Sequence, residues 1–157
     1  ETHGEVAFGH SSVLHRGATF ERTIHHRVTE GTEVDVNEIT GGIIGAAVTV
    51  HRQLGPGLLE SAYEACLAHE LIGRGFSVEQ QVAVPLIYQG VRLDCGYRLD
   101  MLVNDSIIVE LKAVERIDPI HTATVLTYLK LTRKRVALLI NFHSALLKNG
   151  IRRIILD

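Results

Sequence analysis

The run Ile107-Ile108-Val109 constrains this chain more than any other, because it is apolar at successive positions and alternating side chains then make both faces of a strand apolar. Such a strand belongs in the middle of a sheet covered on both sides. It leads directly into Glu110-Leu111-Lys112. Two opposite charges at this point read either as a surface Glu beside a snorkelling Lys, or as a functional site at the strand's end. Alternation sends Glu110 and Lys112 to one face and Leu111 to the other.

The preceding strand, about Tyr97 to Val103, carries Asp100. If a three-residue loop, Asn104-Asp105-Ser106, joins the two strands, Val103 pairs with Ile107 and Asp100 lies across from Glu110. A two-residue loop shifts the register by one and sends the carboxylates to opposite faces. Asn104-Asp105 lacks the Gly that a two-residue turn prefers, which favours the longer loop. Like charges facing each other on a strand pair are destabilising, and a divalent cation removes that conflict. An all-oxygen pair suits Mg²⁺ or Mn²⁺, with Lys112 beside it to hold a phosphate or help activate a water. Taken alone, Asp with Glu-x-Lys is short and also reads as a solvated charge cluster.

The rest of the chain frames this strand. Among its 157 residues, 46% are hydrophobic and 22% charged, which fits one globular domain. Net charge of −2 gives no global basic field for nucleic acid. Cys66 and Cys95 lie far apart without zinc-type spacing, so both read as reduced in a cytoplasmic protein. No apolar run is long enough to span a membrane. Residues 1–34 lack periodicity and read as a poorly structured leader or arm, in which His3, His10, His15, His25 and His26 are too irregularly spaced for a metal site.

Residues 35–157 form the predicted domain. Asp35 with Glu38 resembles a capping box for a helix to about Leu54, with Ile39, Ile43, Ala47 and Val50 on one face. Gly55-Pro56-Gly57 ends it, and a second helix spans about Leu58 to Arg74. Alternation from Phe76 to Val103 predicts antiparallel strands with a tight turn at Gln89-Gly90, and Pro85 marks an edge or a bulge. Asp118-Pro119 starts a helix to about residue 132, followed by the buried strand "RVALLINF" and a final strand "IRRIILD". The order α-α-β-β-β-α-β-β predicts an α/β fold with a mixed central sheet flanked by helices.

"GLLESAY", "VHRQLGPG", "YRLDMLV", "IIVELKAVE", "TYLKLT" and "LLINF", in that ensemble, resemble the GxxExxY family of the PD-(D/E)XK nuclease superfamily over about residues 37–157. The resemblance implies a restriction-endonuclease-like core and metal-dependent hydrolysis of DNA or RNA. It makes Asp100 and Glu110 the metal-binding acids, Lys112 the catalytic lysine, and Glu60 an additional acid acting through water. Leu111 would add its backbone carbonyl to the metal. Glu60 and Tyr63 share a helix face, so Tyr63 would orient Glu60 or reach a phosphate. On the following helix, the nuclease pattern Q-x-x-x-Y aligns with Thr124 to Tyr128, so a hydroxyl stands where an amide makes bidentate contacts. Thr124 and Tyr128 are thus candidates for substrate contact.

Lys130, Arg133, Lys134 and Arg135 complement the dipole at that helix's end and also offer phosphate contacts. His51 and His121 read as packed or solvated histidines. Expected partners are nucleic acid and no membrane; a homodimer is compatible with the sequence. The alternative to an enzyme is a non-catalytic module of the same fold that binds nucleic acid or a protein, a reading favoured by Thr124 and the mild charge.

Overall fold

The computed structural model describes the backbone of residues 20–157 and the side chains from Val36 onward. The helices and strands that build the sheet belong to the unit Val34–Asp157. Helix α1 (Phe20–Leu54) and helix α2 (Glu60–Gly73) precede strands β1 (Val78–Ala83), β2 (Leu86–Tyr88), β3 (Val91–Leu93), β4 (Arg98–Val103) and β5 (Ile107–Lys112). Helix α3 (Pro119–Thr132), strand β6 (Val136–Asn141), a short 3₁₀ turn (Leu147–Gly150) and strand β7 (Ile151–Ile155) complete the chain. The main sheet has the order β1-β4-β5-β6-β7 and is mixed: β5 and β6 are parallel, the other pairs antiparallel. This is the predicted α/β architecture with β5 at its centre.

Two layers of apolar side chains cover the sheet. Ile43, Ala47, Leu67 and Leu71 of α1 and α2 pack with Ile107, Val109 and Leu111 on one face. Val125 and Leu129 of α3 pack with Ile108 and Leu139 on the other. The run Ile107-Ile108-Val109 is therefore buried on both faces, as its composition requires.

Two features depart from the sequence reading. The first helix begins at Phe20, not Asp35. No proline interrupts residues 20–54, and once a helix is nucleated each added residue brings one hydrogen bond, so an internal capping pattern does not force a start. The expected leader over residues 1–34 thus overlaps this helix, and residues 1–19 lie outside the described residues. Second, Leu86–Leu93 does not join the main sheet. It forms a separate two-stranded hairpin, with Gln89 and Gly90 both left-handed in a turn that pairs Tyr88 with Val91. Pro85 falls between β1 and β2 and, in keeping with the proline, β1 is an edge strand. Its ladder breaks at Gln81, which has φ 51° and stands opposite Asp100.

The turn between α1 and α2 aims Glu60. Tyr63 is fully buried, stacked on Phe142 with ring centroids 4.5 Å apart. Its hydroxyl donates to the Gly55 carbonyl at 2.5 Å and accepts the Leu58 N–H at 3.1 Å. Both bonds fold Gly55-Pro56-Gly57 onto the start of α2, so Tyr63 serves the turn and neither reaches Glu60 nor faces a phosphate. Tyr63→Phe is expected to cost about 1 kcal/mol, the worth of the lost hydroxyl bonds, read as a lower midpoint in a denaturant melt. Unchanged stability would contradict this role.

A candidate metal and phosphodiester site at the end of the central strand

The register of β4 and β5 decides whether the acids meet. Val103 pairs with Ile107 and Met101 with Val109, so continuing the ladder sets Asp100 across from Glu110. The loop is Asn104-Asp105-Ser106, as expected, but for a different reason. Asn104 and Asp105 both adopt positive φ (49° and 51°), which their short polar side chains tolerate without Gly. The Ser106 N–H closes the turn on the Val103 carbonyl, leaving Ser106 as the extra residue. Asn104 is fastened by two bonds to Ser77, and Lys134 donates to the Asp105 carbonyl at 2.6 Å and its carboxylate at 3.0 Å.

Asp100 and Glu110 share a face at the C-terminal end of β5. The Asp100 carboxylate accepts the Leu111 N–H at 2.8 Å, which ties it to the strand end. In an extended strand the Leu111 carbonyl points to the same side as its N–H. Glu110 is 5% exposed, and one of its oxygens lies 3.5 Å from the Lys112 ammonium. Its second oxygen, Oε2, is buried without any hydrogen-bond partner among the described residues. Glu60, the first residue of α2, accepts the Ala113 N–H at 3.3 Å and stands 4.0 Å from Lys112. Lys112 thus links Glu60 of α2 to Glu110 of β5, and Asp100 of β4 lies beside Glu110 at the same strand end.

Electrostatics follows from this burial. Desolvation, then the charge of Asp100, push the Glu110 pKa from 4.5 up to about 7, with Lys112 pulling the other way. Asp100 is raised as well, chiefly by burial, with the Leu111 N–H opposing and Glu64 adding to the rise. Tyr128 of α3 is buried nearby, and burial, then Glu110 and Asp100, hold its phenol protonated above the usual range. Tyr128 is therefore a neutral phenol in the layer on the Glu110 side of β5.

Other expected contacts lie elsewhere. The Thr124 hydroxyl donates to the Ile120 carbonyl of its own helix at 2.9 Å. Because Ile107 pairs with Val136 and Lys112 with Asn141 in parallel strands, Arg133 and Lys134 sit at the opposite end of β5. Five residues of strand separate that end from Lys112, roughly 16 Å. Lys130 is in the last turn of α3, also away from the helix end that follows β5. The basic run is thus not part of this cluster, and Lys134 is already engaged by Asp105. His121 accepts the Asp118 N–H at 3.0 Å, and His51 donates to the Ser144 carbonyl at 2.8 Å; both are structural.

Asn141, Glu64 and Gln81 were not visible as site neighbours in the sequence. Asn141, paired with Lys112, accepts the Val114 N–H at 3.1 Å and donates to the Val114 carbonyl at 2.8 Å, fixing the segment that leaves the site. A polar residue ending a buried strand parallel to Glu110-Leu111-Lys112 was its only signal. Glu64, one helical turn after Glu60, accepts two bonds from Gln81 opposite Asp100.

The residues present fit a divalent cation in chemistry and in one specific respect. The donors are oxygens, and the orphaned Glu110 oxygen is a buried acceptor that a cation satisfies. Among the described residues, no three His, Cys, Asp or Glu side chains converge to cage an ion on their own. A Mg²⁺ ion takes one or two carboxylates and completes its shell with water and phosphate.

Residues 37–154 match the family model described as the PD-(D/E)XK nuclease superfamily. Comparison with curated proteins and with solved structures found no match. Among the described residues, no helix is long and apolar enough to cross a membrane.

The raised Glu110 pKa fixes the sign of a pH effect. Folded protein keeps a proton that the unfolded chain releases between about pH 4.5 and 7, so Glu110 lowers stability as pH rises through that window. In metal-free melts, Glu110→Gln is expected to gain on wild type from pH 4.5 to 8, by up to about 3 kcal/mol. Parallel curves for the two proteins would contradict the buried, unpaired carboxylate.

Proposed function

We propose, for a chain that belongs to the PD-(D/E)XK nuclease superfamily, a metal-dependent hydrolase that cleaves phosphodiester bonds of nucleic acid. The observation carrying this reading is the Glu110 oxygen that has no partner among the described residues, with the Asp100 charge and the Lys112 ammonium beside it. Asp100, Glu110 and the Leu111 carbonyl would hold Mg²⁺ or Mn²⁺, and Glu60 would reach it through water. When bound, the ion supplies positive charge to the scissile phosphate and makes water acidic enough to attack near neutral pH.

The chain's own groups divide the remaining work. The Asp100 and Glu110 carboxylates must both be ionised, and removing the last proton from Glu110 requires a pH near or above 7 in the metal-free state. Lys112, tethered by Glu110 and near Glu60, donates hydrogen bonds to the attacking water or to a phosphate oxygen. Tyr128 offers a phenol proton on the α3 side. Hydrolysis then forms a bond from the water oxygen to phosphorus as the P–O ester bond breaks, the water giving one proton up to solvent and the leaving oxygen taking one up.

The catalytic unit is residues 35–157. The spacing Gly57-x-x-Glu60-x-x-Tyr63 supports the narrower GxxExxY group. Both cysteines are free, which supports a cytoplasmic setting. One observation favours the second reading, a binding module without activity: the Thr124 hydroxyl is bonded into its own helix, so the position of the missing amide contributes no donor to the site.

Melting curves at fixed ionic strength test the metal site. Wild type is expected to gain stability with Mg²⁺ or Mn²⁺, about 2.7 kcal/mol at 100 times the dissociation constant, and Asp100→Asn to lose most of that gain. Lys112→Ala should keep the metal response and lose cleavage of DNA and RNA. Equal metal responses in wild type and Asp100→Asn would sink the site.

A further inference from the structure

The flank formed by hairpin β2–β3 and Tyr97 exposes aromatic and apolar side chains. Hairpin β2–β3 leaves the sheet between the end of β1 and the start of β4, the end that carries Asp100. Its side chains are not buried: Ile87, Tyr88 and Val91 are 55–61% exposed. At its base stands Tyr97, 44% exposed, three residues before Asp100. The Val84 N–H donates to the Tyr97 carbonyl at 2.8 Å, which holds its backbone. Its ring meets Tyr128 edge to face, with centroids 6.4 Å apart. Tyr128 packs in the α3 layer with Ile108 and Leu139, the face of β5 to which Glu110 belongs, so the Tyr97–Tyr128 contact ties the exposed ring to the side of the sheet that carries the acids.

Charge on this flank argues for the form of the substrate. Residues 78–98 contain Arg92 and Arg98 against Glu79 and Asp94, a balance of zero. Arg98 already bonds the Gln81 carbonyl at 3.4 Å. Duplex binding rests on phosphate neutralisation, and the main basic run lies at the far end of β5. Unpaired nucleotides instead expose bases that stack on aromatic rings whatever the sequence.

We propose that the site takes an unpaired nucleic-acid strand, with Tyr97 stacking a base next to the scissile phosphate and hairpin β2–β3 extending the apolar platform. The inference rests on the phosphodiester reading for the identity of the reacting group. Tyr97 is a specificity residue here, and Arg92 on the hairpin offers a contact to the backbone of one strand.

Fluorescence anisotropy of the full-length wild type without divalent metal reads binding apart from cleavage. The probes are a labelled oligodeoxynucleotide, the same sequence in RNA, and the DNA annealed to its complement. One of the single strands is expected to bind at least about tenfold tighter than the duplex. Tyr97→Ala should weaken that binding roughly 5- to 100-fold, as loss of one stacked base does. Tyr97→Phe, which keeps the ring, should stay within about twofold. Should Tyr97→Ala not fold by circular dichroism, Tyr88→Ala on the exposed hairpin takes its place, with weakened single-strand binding expected. Duplex binding equal to or tighter than both single strands, no binding of either, or an unchanged affinity in the alanine variant would overturn the proposal. Duplex cleavage with Mg²⁺ that ignores Tyr97 sinks this inference and leaves the hydrolase. Tyr97-dependent single-strand binding without cleavage sinks the hydrolase and leaves this inference.

Discussion

Glu110 holds one carboxylate oxygen near Lys112 and turns the other into a buried space with no partner among the described residues. A carboxylate loses hydration there that the ammonium at 3.5 Å and the nearby Asp100 N–H do not replace. The conflict is resolved in the metal-free protein by keeping a proton to about pH 7, and under the proposed function a cation would resolve it instead. Everything around the strand end makes this arrangement unavoidable. Strand β5 is central, its Ile107, Ile108 and Val109 are fully buried, and a side chain two residues after Ile108 on the same face has nowhere to go but the layer beneath α3.

Main-chain amides hold the other groups in place. Asp100 is capped by the Leu111 N–H and Glu60 by the Ala113 N–H, two amides of the same departing strand. Asn141 grips Val114 on both its amide and its carbonyl, so the segment between β5 and α3 is fastened to β6. Tyr63 locks the turn that delivers Glu60 and stacks on Phe142, whose own N–H donates to the Lys112 carbonyl. The acids are therefore supported by a shared set of backbone bonds, which limits their reorganisation when charge arrives.

Much of this was legible because period and turn chemistry are local. The doubly apolar run placed β5 at the centre, and loop length set the register that joins Asp100 to Glu110. Asp118-Pro119 marked the start of α3 for the reasons of cap chemistry. The turn at Asn104-Asp105 was reached through the wrong premise, since both residues accept positive φ without a glycine. What escaped was tertiary. The exclusion of Leu86–Leu93 from the main sheet depends on which strand claims β4, and the role of Tyr63 depends on a carbonyl eight residues away. Lys130, Arg133 and Lys134 looked like substrate contacts because sequence gives their charge but not the end of the strand at which they lie.

If Asp100 and Glu110 form one cation site at the end of β5, crystals of the protein soaked in Mn²⁺ and measured for anomalous scattering test it most directly. The expected result is an anomalous peak bound by both carboxylates and the Leu111 carbonyl, with the Glu110 oxygen no longer partnerless. Density showing no ion between the two acids, at a pH above that of the raised Glu110 pKa and with Mn²⁺ in excess, would contradict it.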